Sequence, residues 1–427
     1  MTSPPPVWDI IVVGAGAAGL ATAIFTRSRN PALSVLLLDG ARRPGAKILI
    51  SGGSRCNVTN RVVTERDYWG GSSAVVRRVL RGFTVEETTA FFAGAGVTLH
   101  EEEHGKLFPD SNRSRDVLEA LMRRAAETGV ELRAAHRVTN VQRGEDLFLV
   151  STTAGEMAGR RVVLATGGQS LPKSGSDGAG YALARALGHT MVSTTPALVP
   201  LVLDTTASDG LHRELSGVAV DAELAVWSEG AVLTRLRGAL LWTHFGISGP
   251  VALDASRHWL RVRQEGRTPA LTASFLPGRD FQGAERFWLD ESRARPRAVI
   301  GTTLGRILPA SMSSAVLERL AIDPGTVLAH LGREERKRLT HALTAWPLQV
   351  SDSRGYNYAE ATAGGVDLRE VHPATLESRV CPGLYLVGEI LDVDGRIGGF
   401  NFQWAWSSAA AAARALAAPR HSAAHTR

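Results

Sequence analysis

Three hydrophobic rhythms alternate along the chain, and each predicts a different kind of element. Ile10 to Val13 is a continuous β-branched run bounded by turn residues, the pattern of a strand covered on both faces in a parallel sheet. Gly14-Ala15-Gly16-Ala17-Ala18-Gly19 follows at once. An apolar-periodic stretch through Leu20, Ala23 and Ile24 to about Arg29 then predicts a helix, and after a turn at Asn30-Pro31 a second strand, Val35 to Leu38, completes a β-α-β unit. Glu131 to Thr166 reads as three or four short strands with turns at Gly144-Glu145-Asp146 and Ala154-Gly155, ending in Val162-Val163-Leu164-Ala165. Such a segment suits an antiparallel meander inserted in a parallel sheet. From about Ala197 to Ala273 the pattern alternates: Val218, Val220, Ala222, Leu224 and Val226 keep one face apolar while Asp221 and Glu223 point the other way. Between about Gln282 and Trp346 the period becomes helical, with helices expected at Ser311 to Leu320 and Gly332 to Ala345, punctuated by Pro309, Pro324 and Pro347. The strand pattern returns at Gly383 to Gly388, followed by a loop and an alanine-rich helix from about Asn401 to Ala417, so the sheet begun at the N-terminus is expected to be completed at the C-terminus.

Composition narrows the class. A chain of 427 residues with 44% hydrophobic and 21% charged residues has ample core for two or three domains and lies outside the disordered and fibrous ranges. It contains no uncharged apolar stretch of about 18 residues, so no membrane-spanning helix is expected. The opening segment lacks the basic start and cleavage pattern of a secretory signal, and the two cysteines, Cys56 and Cys381, cannot make a disulfide framework or a zinc site by themselves. A cytoplasmic enzyme without metal is the resulting expectation. The net charge of +6 raises nucleic acid as a partner, but the basic residues are scattered. Clusters at Arg77, Arg78 and Arg81 and at Arg333, Arg336, Lys337 and Arg338 have the spacing of solvated helix faces, which argues against that partner.

The glycine-rich run sits directly after a strand and opens a helix, where a dinucleotide-binding fold requires it. Gly14 permits the tight turn, Gly16 lets backbone N–H groups approach a pyrophosphate, and Gly19 allows close packing of helix on strand. The positive end of the helix dipole favours the phosphate charge. Asp39, at the end of the second strand, is placed to accept hydrogen bonds from a ribose diol. The competing reading is a structural turn with an acidic strand end. Gly45 to Asn60 forms a second small, polar, backbone-accessible loop, which suits a cofactor larger than a nicotinamide headgroup. No second G-x-G-x-x-G preceded by a strand occurs after residue 150, so a dedicated NAD(P)H domain is not expected.

These segments, together with Leu164-Ala165-Thr166-Gly167-Gly168, Gly175-Ser176-Asp177-Gly178, Thr243-His244-Phe245-Gly246-Ile247-Ser248-Gly249-Pro250, Ala361-Thr362-Ala363-Gly364-Gly365-Val366 and the run Gly383 to Trp406, resemble the HI0933-like (BaiN/YhiN-like) FAD-dependent oxidoreductases of the two-dinucleotide-binding-domain flavoprotein superfamily. The resemblance covers nearly the whole chain. It implies an α/β fold: a Rossmann-like FAD-binding domain built from both chain ends as a parallel sheet with an antiparallel meander, an inserted β-rich subdomain and a small helical subdomain. The corresponding boundaries are 1–192 and 351–418 for the FAD-binding domain, 193–280 for the β-rich part, 281–350 for the helical part and 419–427 for a disordered tail. It also implies FAD contacts from Gly14, Gly16, Ala17, Ala18 and Gly19, from Asp39, Gly40 and Lys47, and from Ser51, Gly52, Gly53, Arg55, Cys56 and Asn57. Further contacts are implied for Val138, for Ala165, Thr166 and Gly167, for Gly388, Glu389 and Asp394, and for Asn401, Phe402 and Gln403. The last three open the final helix, whose positive dipole end would stabilise negative charge on the reduced flavin, while Glu389 could bind a ribityl hydroxyl.

Two positions depart from the family pattern: Ser54 stands where glycine is usual, and Ala239 stands where an acidic residue commonly precedes Thr243-His244-Phe245. Cys56 has no partner cysteine nearby, so it reads as a packed or cofactor-shell residue in preference to a dithiol relay. His244, a polar group in an apolar stretch, is the preferred substrate-side candidate for proton transfer, with a structural histidine as the competing reading; His104 and His189 have weaker claims, and the catalytic residues stay unassigned. The expected activity is an FAD-dependent oxidoreductase acting on a small molecule, with NADH or NADPH as a possible donor entering an open cleft between the FAD domain and the insert. The alternatives are a flavoprotein acting on nucleic acid and a non-catalytic flavin-bound redox sensor.

Overall fold

A computed structural model describes residues 6–204 and 211–418. The chain divides into two compact units, Met1–Thr194 with Glu360–Arg427, and Thr195–Ala359.

In the first unit the uninterrupted β-branched run forms strand β1, Val7–Val13, with Ile10, Ile11 and Val12 inaccessible to solvent. Helix α1, Ala17–Arg29, leads to strand β2, Val35–Leu38, which pairs with β1 in parallel. On the other side β1 pairs in parallel with Gly155–Leu164, whose C-terminal half in turn pairs with Leu384–Leu386, while Glu131–Arg133 flanks β2. Strands from both chain ends therefore make one parallel sheet. Val138–Arg143 and Phe148–Thr152 run antiparallel before Gly155–Leu164, the meander expected from the short alternating segments. Sequence periodicity gave no reading of Ser73–Gly82 as a whole, nor of Val85–Gly94 or Ser114–Glu127; all three are helices.

The alanine-rich stretch becomes the helix Phe400–Ala417, which packs against α1. Ala409 to Ala413 are buried, and their short side chains let the two helices approach closely. Two buried indoles fix this helix at its start, Trp404 Nε1 donating to Gly388 O at 3.1 Å and Trp406 Nε1 to Val58 O at 2.9 Å. Their satisfied N–H groups let two large apolar surfaces leave water without a polar penalty.

The second unit is a seven-stranded sheet flanked by helices. Its central hairpin pairs Ala219–Ser228 with Ala231–Thr243 antiparallel, and Val220, Ala222, Leu224 and Val226 are buried as the alternation requires. Glu223 is also buried, because Arg235 and Arg237 cross the strand to its carboxylate at 3.1 and 2.6 Å. Ala239 lies opposite Asp221 in the same hairpin. Pro250–Gln264, inside the β-rich stretch, is a helix on this sheet. The helices Phe281–Ala294, Ile300–Leu304, Ala310–Arg319 and Arg333–Thr344 are followed by strands Trp346–Leu348 and Val350–Ser353, which return to the sheet. Helices and sheet share one hydrophobic core. The tail from Pro419, expected to be disordered, lies outside the described residues.

Candidate functional site

The turn between β1 and α1 lies at the C-terminal end of the parallel sheet, where open α/β sheets hold ligands. Its three glycines have different physical reasons. Gly14 has φ +102°, and a Cβ there would stand 2.5 Å from Ala165 O; a Cβ on Gly19 would stand 1.8 Å from Gly14 O. A Cβ on Gly16, by contrast, would meet no atom within 4 Å. Protein packing thus requires glycine at 14 and 19 and leaves the space over 16 open. Helix α1 begins here with no side-chain cap and no acidic residue in its first turn, so the N–H groups around Ala17 and Ala18 keep their positive potential. Asp39 braces the turn: its carboxylate accepts from Ala15 N at 2.7 Å and from Ala41 N at 2.8 Å. Each oxygen retains acceptor capacity. Gly40 packs against Arg137, and the neighbouring Val138 is buried in its strand.

A polar cluster assembles around Glu389. Its carboxylate pairs with Lys47 Nζ and accepts from Ser170 Oγ at 2.9 Å and from Thr362 N at 2.8 Å. Lys47 Nζ also donates to Ser170 Oγ at 2.6 Å. Thr362 Oγ1 receives the N–H groups of Gln169 and Ser170, and a Cβ on Gly168 would strike it at 2.5 Å. Lys47 and Glu389 are both among the expected site residues; Ser170 and Thr362 are not. Thr362 lies within the Ala361-Thr362-Ala363 segment, where its hydroxyl enters a strand, whereas Ser170 lies two residues beyond Thr166-Gly167-Gly168.

The loop after Lys47 leaves the helical path at Ser51, and Gly52, Gly53, Ser54 and Cys56 all have positive φ. Ser54, at +66°, occupies the left-handed region that glycine adopts at less cost, so the backbone tolerates the departure from the family pattern with local strain. The Arg55 side chain turns to Glu102 at 2.6 Å and stacks over Phe108 at 4.1 Å. Asn57 is buried, and its Oδ1 lies beside Gly399, the N-cap of the helix Phe400–Ala417.

Of the residues at that helix start, Asn401 clamps Gly395 through both backbone groups, accepting at 2.8 Å and donating at 3.0 Å. Gln403 is buried with four partners, Thr59, Thr88, Phe83 and Ser407. Phe402 stacks on Trp406 at 5.7 Å. Asp394 is buried in a strand paired with Tyr68–Gly70. Gly388, at φ +74°, passes close to α1, where a Cβ would lie 2.8 Å from Ala18 Cβ. Among the described residues, Asn57 Oδ1, Thr166 Oγ1 and Ser176 Oγ are buried without a hydrogen-bond partner, the last lying beside Gly167. Orphaned buried polar atoms are groups that a bound cofactor could complete.

Both cysteines are free and buried, and burial pushes the Cys56 thiol up to about 12, against a smaller lowering by the Ser51 hydrogen bond. A neutral thiol is a poor nucleophile, in line with a packed residue. His189 is buried between Glu370 at 2.7 Å and Ser378 at 2.9 Å, a fixed structural ring, and His104 is exposed. His244, in the second unit, is exposed at the two-residue apex joining Ala231–Thr243 to Gly246–Ser248 and packs edge-on to Phe245. Among the described residues, no group of three or more His, Cys, Asp or Glu could hold a metal ion, and no helix is long and apolar enough to cross a membrane.

A family profile described as the HI0933-like protein Rossmann domain matches residues 8–415. A ribosomal RNA dihydrouridine synthase of Escherichia coli strain K12 is 34% identical over 415 residues, covering 97% of this chain and 99% of that protein. A 3-dehydro-bile acid delta(4,6)-reductase of Clostridium scindens is 33% identical over 406 residues, covering 95% and 98%. A solved quinol-fumarate reductase with menaquinol molecules superposes with a TM-score of 0.51 at 15% identity, over 97% of this chain and 71% of its own, a likeness of fold.

Proposed function

The chain belongs to the HI0933-like family of flavin-dependent oxidoreductases, and from that premise we propose that it holds FAD and reduces a carbon–carbon double bond conjugated to a carbonyl group. The observation that carries the cofactor reading is the glycine turn, in which Gly16 alone is left open by the protein's own packing. The turn and the first turn of α1 would hold the pyrophosphate, and Asp39 and Gly40 the adenosine ribose, with Val138 beside the adenine. Lys47, the Ser51 to Asn57 loop, Ala165 to Gly167, Gly388, Glu389, Asp394 and the start of the last helix would hold the flavin end. Bound flavin supplies two-electron redox chemistry. The uncapped helix start at Phe400 would set a positive potential against it.

The substrate class rests on the names of the two relatives: dihydrouridine and a delta(4,6)-reduced 3-dehydro-bile acid each arise by saturating a ring double bond conjugated to a carbonyl. NADH or NADPH is the proposed donor. The E. coli relative's name also favours a second reading in which the conjugated ring is a uracil within RNA.

The test is the visible spectrum of the purified protein during anaerobic titration with NADH and NADPH, followed by addition of a 3-oxo-4-ene steroid or a uridine-containing RNA. A flavin spectrum that bleaches with the nicotinamide and recovers with one of the two acceptors supports the proposal and selects the substrate. Colourless protein that takes up no added FAD would sink it.

A further inference from the structure

Strand Val350–Ser353 is followed by a guanidinium with no counterion among the described residues. Arg354 stacks on two aromatic rings of its own unit, 4.6 Å from the centroid of Phe245 and 3.6 Å from that of Tyr358. Its backbone is pinned, Arg354 N donating to Pro200 O at 3.0 Å, and so is its shelf, Leu203 N donating to Phe245 O at 3.0 Å. Stacking occupies the face of a guanidinium and leaves its in-plane N–H fork free for a planar bidentate acceptor. No acceptor for the Arg354 guanidinium exists among the described residues. Arg263, by contrast, pairs with Asp352 of the same strand at 3.2 Å. Beside the shelf, Thr243 Oγ1 is buried and has no partner, and the Tyr358 ring is 50% exposed. The shelf belongs to the Thr243 to Pro250 segment, whose glycines are fixed by packing: a Cβ on Gly246 would stand 2.3 Å from Leu201 O, and one on Gly249 2.7 Å from Ala239 O.

We propose that Arg354, held on Phe245 and Tyr358, binds the carboxylate of a small-molecule substrate whose apolar body lies along the two rings. A single stacked guanidinium presents one planar fork and so suits a single anion, whereas a nucleic acid would call for a row of free cations following its phosphates. This deepens the reductase reading by naming a chemical group of the substrate, and it rests on that reading only for turnover.

The experiment uses the FAD-loaded protein and three probes: a 3-oxo-4-ene steroid with a side-chain carboxylate, its methyl ester, and benzoate. Equilibrium dialysis measures binding, and nicotinamide oxidation measures turnover. The wild type is expected to bind the acid more tightly than the ester. Arg354→Gln should weaken binding of the acid about tenfold to hundredfold, the worth of a charge-assisted bidentate pair, and abolish the acid-over-ester preference. Arg354→Lys, which keeps the charge and loses the fork, should fall between the two and guards against a folding artefact. Arg354-dependent binding of the acid without turnover keeps this site and removes the reductase reading. Equal binding of acid and ester by the wild type, a preference that survives Arg354→Gln, failure of both the acid and benzoate to bind, or Arg354-dependent binding of a uridine-containing RNA in place of the acid would each overturn the assignment.

Discussion

Lys47 and Glu389, 342 positions apart in the chain, form an ion pair that joins the loop after β2 to the strand end before the last helix. Neither side chain is fully dry, with 27% and 17% of their surfaces exposed, so solvent screens part of the attraction. Ser170 Oγ touches both charges, and Thr362 N holds the carboxylate, so removing one partner strands the other among donors fitted to it. Glu389→Gln is expected to cost about 2 kcal/mol of stability and to lower the flavin content of purified protein, and Lys47→Met should do the same. The double variant should cost less than the sum of the two. Thermal melts and flavin-to-protein absorbance ratios read both effects; strictly additive losses would mean that the two residues act independently.

Gly16 and Gly19 separate cofactor binding from folding. At Gly16 the backbone has φ −82° and a Cβ meets no protein atom, so Gly16→Ala should fold with an unchanged melting temperature in the apoprotein. Its methyl group would occupy the space proposed for the pyrophosphate, and FAD affinity should fall tenfold or more. At Gly19 the same methyl would stand 1.8 Å from Gly14 O, forcing α1 off the sheet. Gly19→Ala should therefore destabilise the protein with or without FAD, by about 3 kcal/mol or more on the scale of overpacked cores. An apoprotein melt that drops equally for both variants would remove the cofactor argument for Gly16.

These positions mark how far the sequence could be read. The β1 turn, β2 and the last helix were legible because local rules suffice: a β-branched run, glycines at fixed offsets and an alanine-rich period. Glu223 points away from the apolar face as its alternation indicates, but the alternation does not reveal that two cross-strand arginines will cover it and leave it buried. Helix Pro250–Gln264 escaped because its neighbours alternate and its own residues mix Arg, Asp and Ser with apolar ones. In the site, Lys47 and Glu389 were named, but Ser170 and Thr362 were not. Their hydroxyls matter only once the fold brings residues far apart in the chain to one strand end.

Gln403 shows a different division between motif and chemistry. The resemblance places it against the cofactor, while its amide already makes four hydrogen bonds to Thr59, Thr88, Phe83 and Ser407, at 1% exposure. The side chain therefore ties the final helix to two neighbouring segments. Gln403→Leu leaves several buried polar groups unpaired and should cost about 3 kcal/mol. The flavin spectrum of protein purified at low temperature should keep its peak positions. A shifted spectrum at unchanged stability would reassign the amide to the flavin.

Cys56 gives a pH-dependent prediction with a fixed sign. Burial raises its thiol from an ordinary value near 9 to about 12, so between these values the unfolded chain has lost a proton that the native protein keeps. The native state binds more protons, and stability must fall as pH rises across this window, by about 1.4 kcal/mol per pH unit for one group. Below pH 9 the contribution is fully present. Tyr68 is buried with a pKa raised well above its usual value, again mainly by burial, and adds a slope of the same sign at higher pH. The comparison must therefore be made as a difference. Denaturant unfolding of wild type and Cys56→Ser between pH 8.5 and about 10.5 should give curves that converge as pH rises, the wild type losing more. Native Cys56 should also resist iodoacetamide at pH 8 while unfolded protein is alkylated at both thiols. Parallel pH profiles, or rapid alkylation of the folded protein at Cys56, would show that the thiol is reachable and ionisable, and would return it to the list of redox candidates.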